Sequence, residues 1–336
     1  MLRKPRLSSL LSTRSGWALV LGTGLIVVVA VATALFGPSR ASEAAVAVRV
    51  GNASPSPSAT ASAEAGTKLA GADTTSAPAS SSASASASAS ATPTPDPSAS
   101  LAAAVSGLVS ADGGHVSVAV EDLSSGTTAS YNVGDDYVTA SIVKLDILET
   151  LLYDDQKDGT SPTSEQGEQI TAMIEQSDND AAPDLYDEEG GASAITTANK
   201  VFGLTDTDVD DDAFGDTTTT VNDQIVLLRQ AFTGDSALTS DHRSYIQSLM
   251  SKVESDQRWG VSAAADDSSS SASDYMLKNG WLPRSATDLW EINSIGEVEH
   301  DGREYLVAVL SADNETMDDG VDLIQHVAKA AVDGLD

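Results

Sequence analysis

Residues 139–148 read Thr-Ala-Ser-Ile-Val-Lys-Leu-Asp-Ile-Leu, and the apolar spacing that begins there predicts a buried helix. Ile142, Leu145, Leu148, Leu151 and Leu152 keep the three-to-four-residue rhythm of one helix face. Lys144 stands in this apolar setting, three residues after Ser141. That interval puts both side chains on the same face, close enough for the amine to take the serine proton. Burial disfavours an ammonium and lowers its pKa, as a general base near neutral pH requires. The helix N-terminus beside Ser141 would face an oxyanion developing there. The chain has no other Ser-x-x-Lys; read alone, the motif also fits a surface lysine on an ordinary helix.

Around this helix the pattern alternates between classes. Upstream, Ser100 is positioned to cap a helix over 101–109, and residues 115–121 put Val116, Val118 and Val120 on one face of a strand. Ser124, Ser125 and Gly126 form a turn, and 127–133 reads as the returning strand. Downstream, helices are predicted over 165–176, 192–201, 219–232 and 240–254. Strands follow over 275–278, 289–298 and 304–311, then a helix over 317–332 with Val321, Ile324, Ala328 and Ala331 on one stripe. The fold class is α+β: an antiparallel five-stranded sheet flanked by helices, with terminal helices on one face and an all-helical subdomain on the other.

The chain of 336 residues has no cysteine, which excludes disulfides, thiolate metal sites and a cysteine nucleophile. A formal charge of -32 would repel a phosphate backbone, so no nucleic-acid partner is expected. The acid is concentrated after residue 100; before it only Glu43, Glu64, Asp73 and Asp96 are acidic. Residues 1–16 carry Arg3, Lys4, Arg6 and Arg14, forming a basic tail. Residues 17–36, WALVLGTGLIVVVAVATALF, carry no charge. Twenty helical residues span about 30 Å, the thickness of a hydrocarbon core. Basic residues on the N-terminal side keep that side cytoplasmic, so the acidic part is expected outside a cell membrane, held by a single-pass anchor or released if this segment is a cleaved signal. Residues 37–100 form a linker, and 52–100 are Ala, Ser, Thr and Pro almost throughout, too polar and small to offset the entropy of ordering. It serves either as a stalk or as a neutral spacer. The folded domain is expected over 101–336.

Two further motifs follow Ser141 and Lys144 in order. Ser177, Asp178 and Asn179 close the predicted helix ITAMIEQ, and Lys278, Asn279 and Gly280 lie in the predicted strand YMLKNGW. Ser-x-x-Lys, Ser-Asp-Asn and Lys-x-Gly in this order resemble the motifs of the penicillin-interacting serine acyltransferases, most closely class A β-lactamases, over nearly all of 101–336. The resemblance implies a serine hydrolase acting on a β-lactam or a peptidoglycan stem peptide, without metal or cofactor. It makes Ser141 the nucleophile, Lys144 its base and Ser177 the proton relay to the leaving nitrogen. Asn179 would order the lysine and the substrate amide, and Asp178 would hold its turn. Lys278 would attract a substrate carboxylate and Gly280 would let the acyl chain approach. The backbone N–H groups of Ser141 and Trp281 would hold the oxyanion. The rival reading is a catalytically weak relative that binds a wall peptide or another protein in the cleft.

Several departures bear on that choice. Asn279 stands where the family usually has Thr or Ser, and its amide is expected to donate to a carboxylate with a different reach. Trp281 replaces a small residue. Residues 205–215, TDTDVDDDAFG, offer neither the Glu that activates the deacylating water nor the Asn beside it. Asp216 matches the aspartate at the neck of that loop, yet no arginine lies between residues 201 and 215 to pair with it. Asp206, Asp208 and Asp210 have a calcium-loop spacing, though Asp211 and Thr217 stand where that loop needs Gly and Glu; they read as a calcium loop or a solvated one. His115, His242, His300 and His326 lack paired metal spacing, and Arg258, Trp259 and Gly260 either line the cleft or pack. Protease added to cells whose wall admits it is expected to release the acidic domain by cutting within 52–100. Protection until the cells are lysed would contradict the topology.

Overall fold

The computed structural model describes residues 96–112, 114–266 and 274–335. The expected basic tail, the apolar segment 17–36, the linker up to residue 95 and the Ser-rich run 268–273 lie outside the described residues. Among the described residues, no helix is long and apolar enough to cross a membrane.

Helix α1 spans Pro97–Asp112 and begins earlier than expected. The Asp96 carboxylate accepts the Ser98 N–H at 3.1 Å, its carbonyl accepts the Ser100 N–H, and Pro97 stands where a missing N–H costs nothing. Asp96 is therefore the cap, Ser100 lies inside the first turn, and 97–100 belong to the domain instead of the linker. The hairpin β1 (His115–Asp122) and β2 (Thr128–Tyr131) follows, then short β3 (Tyr137–Val138), a 3-10 turn Ala140–Ile142 and helix α2 (Val143–Asp158). The helical block continues with α3 (Ser164–Glu175), α4 (Ala181–Glu188) and α5 (Gly191–Phe202). After β4 (Thr218–Thr219), which pairs with β3, come α6 (Val221–Phe232) and α7 (Ser240–Met250). Strands β5 (Tyr275–Arg284), β6 (Leu289–His300) and β7 (Arg303–Asn314) precede α8 (Met317–Asp333). Thr163, Thr220, Thr239 and Thr316 each cap a helix by accepting a backbone N–H. Thr220 in that role starts α6 after residue 219, and α7 stops at Met250, short of 254. Helix α4 and the β3–β4 pair were not expected: one is two turns long and the other two residues a side, too short for a period to register.

The five-stranded sheet runs in the order β2-β1-β7-β6-β5, and its neighbours pair antiparallel. Alternation sorts its side chains between two cores. Val116, Val118 and Val120 of β1 with Tyr305, Val307 and Val309 of β7 pack towards α1 and α8, while Leu306, Ala308 and Leu310 pack towards the helical block. Covered on both faces, β7 reads as an unbroken apolar run rather than an alternating one.

Helix α2 crosses the helical core and buries two acids as well as its leucines. Asp146 and Glu149 are fully buried; Asp146 accepts from Asn199 Nδ2 at 2.9 Å, whereas neither Glu149 oxygen has a hydrogen-bond partner among the described residues. Burial pushes Asp146 up to about 7, partly opposed by Asn199 and aided by Asp223. Burial and the adjacent Asp146 push Glu149 well above the usual carboxylate range. A carboxyl whose folded pKa is raised stabilises the fold below its unfolded pKa, and that contribution is lost as pH rises through the folded value. Melting temperature is therefore expected to fall from pH 5 to pH 8, and Glu149→Gln should flatten the slope. A melting temperature that rises across this window, or an unchanged slope in the variant, would contradict the assignment.

Candidate active site

Ser141 is half-buried in the 3-10 turn that leads into α2. The turn is held from two sides. Thr139 N–H donates to the Thr217 carbonyl at 2.8 Å, and Asn293 Nδ2, from β6, donates to the Val138 and Thr139 carbonyls at 2.8 and 3.1 Å. Ala140 has φ +47°, a left-handed conformation that side chains other than glycine adopt at a cost. Asn293 is a positioning residue that sequence reasoning missed: β6 mixes apolar residues with Glu291, Ser294 and Glu297, so its buried amide has no local signal.

Lys144 occupies the first turn of α2 and is fully buried. Its Nζ donates to the Ser177 carbonyl at 2.7 Å and to Asn179 Oδ1 at 2.7 Å, with a longer contact of 3.4 Å to Ser177 Oγ. From the opposite side, Lys278 Nζ donates to Ser177 Oγ at 2.9 Å and to the Asn279 carbonyl at 3.0 Å. Burial lowers Lys144 to about 8, with Asp178 pulling the other way. Burial and the charge of Lys144 lower Lys278 well below the usual range. The two short bonds of Lys144 use two of its hydrogens and leave one tetrahedral position for proton exchange. The lysine is not hydrogen-bonded to Ser141, so a proton passing between them needs a small rotation or a water. Ser177 Oγ accepts from Lys278, and its own hydrogen is free to be donated.

Ser177 has φ +56° and sits at the turn after α3. Asp178 Oδ1 accepts the N–H groups of Asp180 and Ala181, both at 2.8 Å, and these bonds hold its pKa down. It shapes the turn that presents Ser177 and Asn179 to Lys144.

Strand β5 supplies the other wall. A Cβ built at Gly280 would lie 2.6 Å from the Thr139 carbonyl and 2.9 Å from the backbone nitrogens of Ser141 and Ile142. Only glycine lets the strand pass this close to the Ser141 and Ile142 amides. Alternation then assigns the faces: Lys278 and Gly280 face the serine, and Asn279 and Trp281 point away. The expectation that the Asn279 amide meets a substrate carboxylate is corrected accordingly. It is 1% exposed, and Nδ2 donates to the Gln257 and Trp259 carbonyls at 2.8 and 3.2 Å. Gln257 Nε2 in turn donates to the Gln176 carbonyl at 2.9 Å. Asn279 thus ties β5 to the turn that carries Ser177. The Trp281 ring stacks edge-on against Trp259, with centroids 5.8 Å apart, so Trp259 packs on the far side of the strand.

Asp216 does have a basic partner, brought from beyond the loop: Arg284 Nη1, at the end of β5, donates to Asp216 Oδ1 at 2.5 Å. In the aspartate run, Asp210 Oδ1 accepts the N–H groups of Asp212 and Ala213 at 2.9 and 2.7 Å. Among the described residues, side chains close enough to share a metal ion occur elsewhere, at Asp266, His300 and Asp301.

The family model described as the β-lactamase enzyme family matches residues 159–335. The match takes in Ser177, Asn179, Lys278 and Gly280 and begins after Lys144. Among solved structures, a class A β-lactamase from Bacteroides cellulosilyticus is 18% identical with TM-score 0.62, over 72% of this chain and 99% of that one. TLA-1 extended-spectrum β-lactamase is 16% identical with TM-score 0.63, over 71% and 99%. PBP-A is 19% identical with TM-score 0.60, over 70% and 95%. At these identities the likeness is one of fold. No curated protein sequence matches the chain. Gly280→Ala should force β5 from the serine turn and cost about 1–3 kcal/mol, the usual range for overpacking. A urea midpoint unchanged from the parent would show that the strand can yield there.

Proposed function

The chain belongs to the β-lactamase enzyme family, and on that premise we propose that it is an extracytoplasmic serine acyl-transfer enzyme acting on β-lactams or cell-wall D-alanyl peptides, slow in deacylation. The observation that carries the reading is the convergence of two buried lysines on Ser177 Oγ beside the Ser141 turn. Lys144, in its neutral form, takes the proton of Ser141 Oγ as that oxygen bonds to the substrate carbonyl carbon. The backbone N–H groups of Ser141 and Trp281 hold the negative oxygen. When the intermediate collapses, the C–N bond breaks, Ser177 gives its hydrogen to the leaving nitrogen, and the proton on Lys144 restores the serine. Lys278 draws the substrate carboxylate and favours this donation. The ester on Ser141 is then cleaved by water. A variant of PBP-A has been solved as an acyl-enzyme complex with penicillin G, which supports a penicillin as probe.

Slow deacylation follows from the segment 205–215. It contains no glutamate, Asp210 Oδ1 is taken by backbone N–H groups, and Asp216 is paired with Arg284. Loss of a general base typically costs about 10² to 10⁴ in rate. Placement outside the membrane is supported by the basic tail and the apolar run 17–36.

Intact mass of the full-length chain should rise by one penicillin G, and Ser141→Ala should abolish the adduct. Absence of adduct over hours would favour a cleft that binds wall peptide without acylating. Acylation requires neutral Lys144, so its rate should climb with pH up to about 8, and Lys144→Arg should remove that limb with a steep loss of rate. Hydrolysis of a chromogenic cephalosporin should show a burst of about one equivalent, then a slow phase; rapid steady turnover without a burst would overturn slow deacylation.

A further inference from the structure

Strand β5 continues past Gly280 through Leu282 to Arg284 and is the last strand of its sheet. Alternation puts Lys278, Gly280, Leu282 and Arg284 in one row on the face that meets Ser141. The row begins and ends on a basic side chain. At the far end the Arg284 guanidinium bonds Asp216 at 2.5 Å, and the two side chains remain 37% and 45% exposed. Asp216 ends the 3-10 turn Phe214–Asp216, directly before Thr217, whose carbonyl holds the Thr139 N–H. The ion pair therefore bridges the strand end to the backbone that leads to the nucleophile. Beside it lies a cavity of 270 Å³ lined by Asp216, Leu282, Pro283 and Arg284.

We infer that Arg284 and Asp216 form a specificity subsite for a zwitterionic terminus, an ammonium and a carboxylate on one carbon, at the acyl end of a peptide substrate. The inference rests on the acyl-transfer reading for its direction. With Lys278 taking the carboxylate on the leaving side, the acyl portion runs the other way along β5, towards Arg284. From Gly280 to Arg284 the strand advances about 13 Å, a span that two linking residues and the arginine side chain cover. Guanidinium has five N–H donors and carboxylate two acceptor oxygens, so one bond between them leaves both with capacity for a ligand. The substrate carboxylate joins Arg284 and its ammonium joins Asp216, closing a ring of alternating charges. A terminus with only one charge meets repulsion from the partner of the residue that attracts it. An exposed ion pair contributes only about 0–1 kcal/mol, so rearranging it for a ligand costs little.

The test uses the full-length chain carrying Ser141→Ala, so that no covalent step intervenes. It is titrated with γ-glutamyl-glycyl-D-alanyl-D-alanine, whose glutamyl α-amino and α-carboxyl groups are free, and with the N-acetyl and α-amide forms of the same peptide. The zwitterion should bind about tenfold tighter than either singly charged form. Adding Arg284→Ala should remove the zwitterion's advantage over the α-amide form, and adding Asp216→Asn its advantage over the N-acetyl form, each to within about twofold. Equal affinities in the Ser141→Ala chain, or a tenfold advantage of the zwitterion over both other forms that survives each further substitution, overturn the subsite. Penicillin adduct formation on the unsubstituted chain is read separately: an adduct with equal affinities refutes the subsite alone, whereas a zwitterion preference without an adduct supports the subsite and refutes acyl transfer.

Discussion

Lys144 and Lys278 are buried on opposite sides of one hydroxyl, that of Ser177, and two full positive charges held this close away from water repel each other strongly. Desolvation drives both towards the neutral amine, and at Lys278 the charge of Lys144 acts in the same direction. Everything that positions the two lysines thus also tunes them. Lys144 is placed by α2, whose leucines anchor it in the helical core, and Lys278 by β5, whose pairing with β6 anchors it in the sheet. The site exists only where these two layers meet.

The meeting is made close by Gly280 and kept in register by Asn279. One lets β5 lie against the Ser141 turn with no side chain between them. The other reaches away from the cleft and binds the backbone at Gln257 and Trp259, and Gln257 then holds the turn at Gln176. Adjacent residues of one strand therefore serve opposite faces, one for approach to the serine and one for attachment of the serine's partner. Left-handed backbone at Ala140 and Ser177 marks where these ties force the chain from its preferred conformations.

The segment before Asp216 shows a different economy. Asp210 accepts two backbone N–H groups, and the closing residue Asp216 takes an arginine from the end of β5. That cross-link joins the cleft's floor to its wall and leaves a charged, open end on the row that starts at Lys278. The net charge of -32 surrounds a centre whose two buried lysines are held towards the neutral amine.

The order and spacing of Ser141, Lys144, Ser177, Asn179, Lys278 and Gly280 were legible in the sequence because each motif is short and lies on a local element with a clear period. The α+β class was legible for the same reason: α2, β7 and α8 have apolar patterns long enough to register. What was misread depends on distant partners. The burial of Asn279 follows from carbonyl groups at 257 and 259, about twenty residues away along the chain; the pairing of Asp216 depends on Arg284, which strand β5 carries across the cleft. Sequence by itself determined which residue types stand at which local spacing. Tertiary structure alone decided which faces they present, which amides are already used and which charges meet, because these are set by contacts between segments whose separation along the chain carries no period to read.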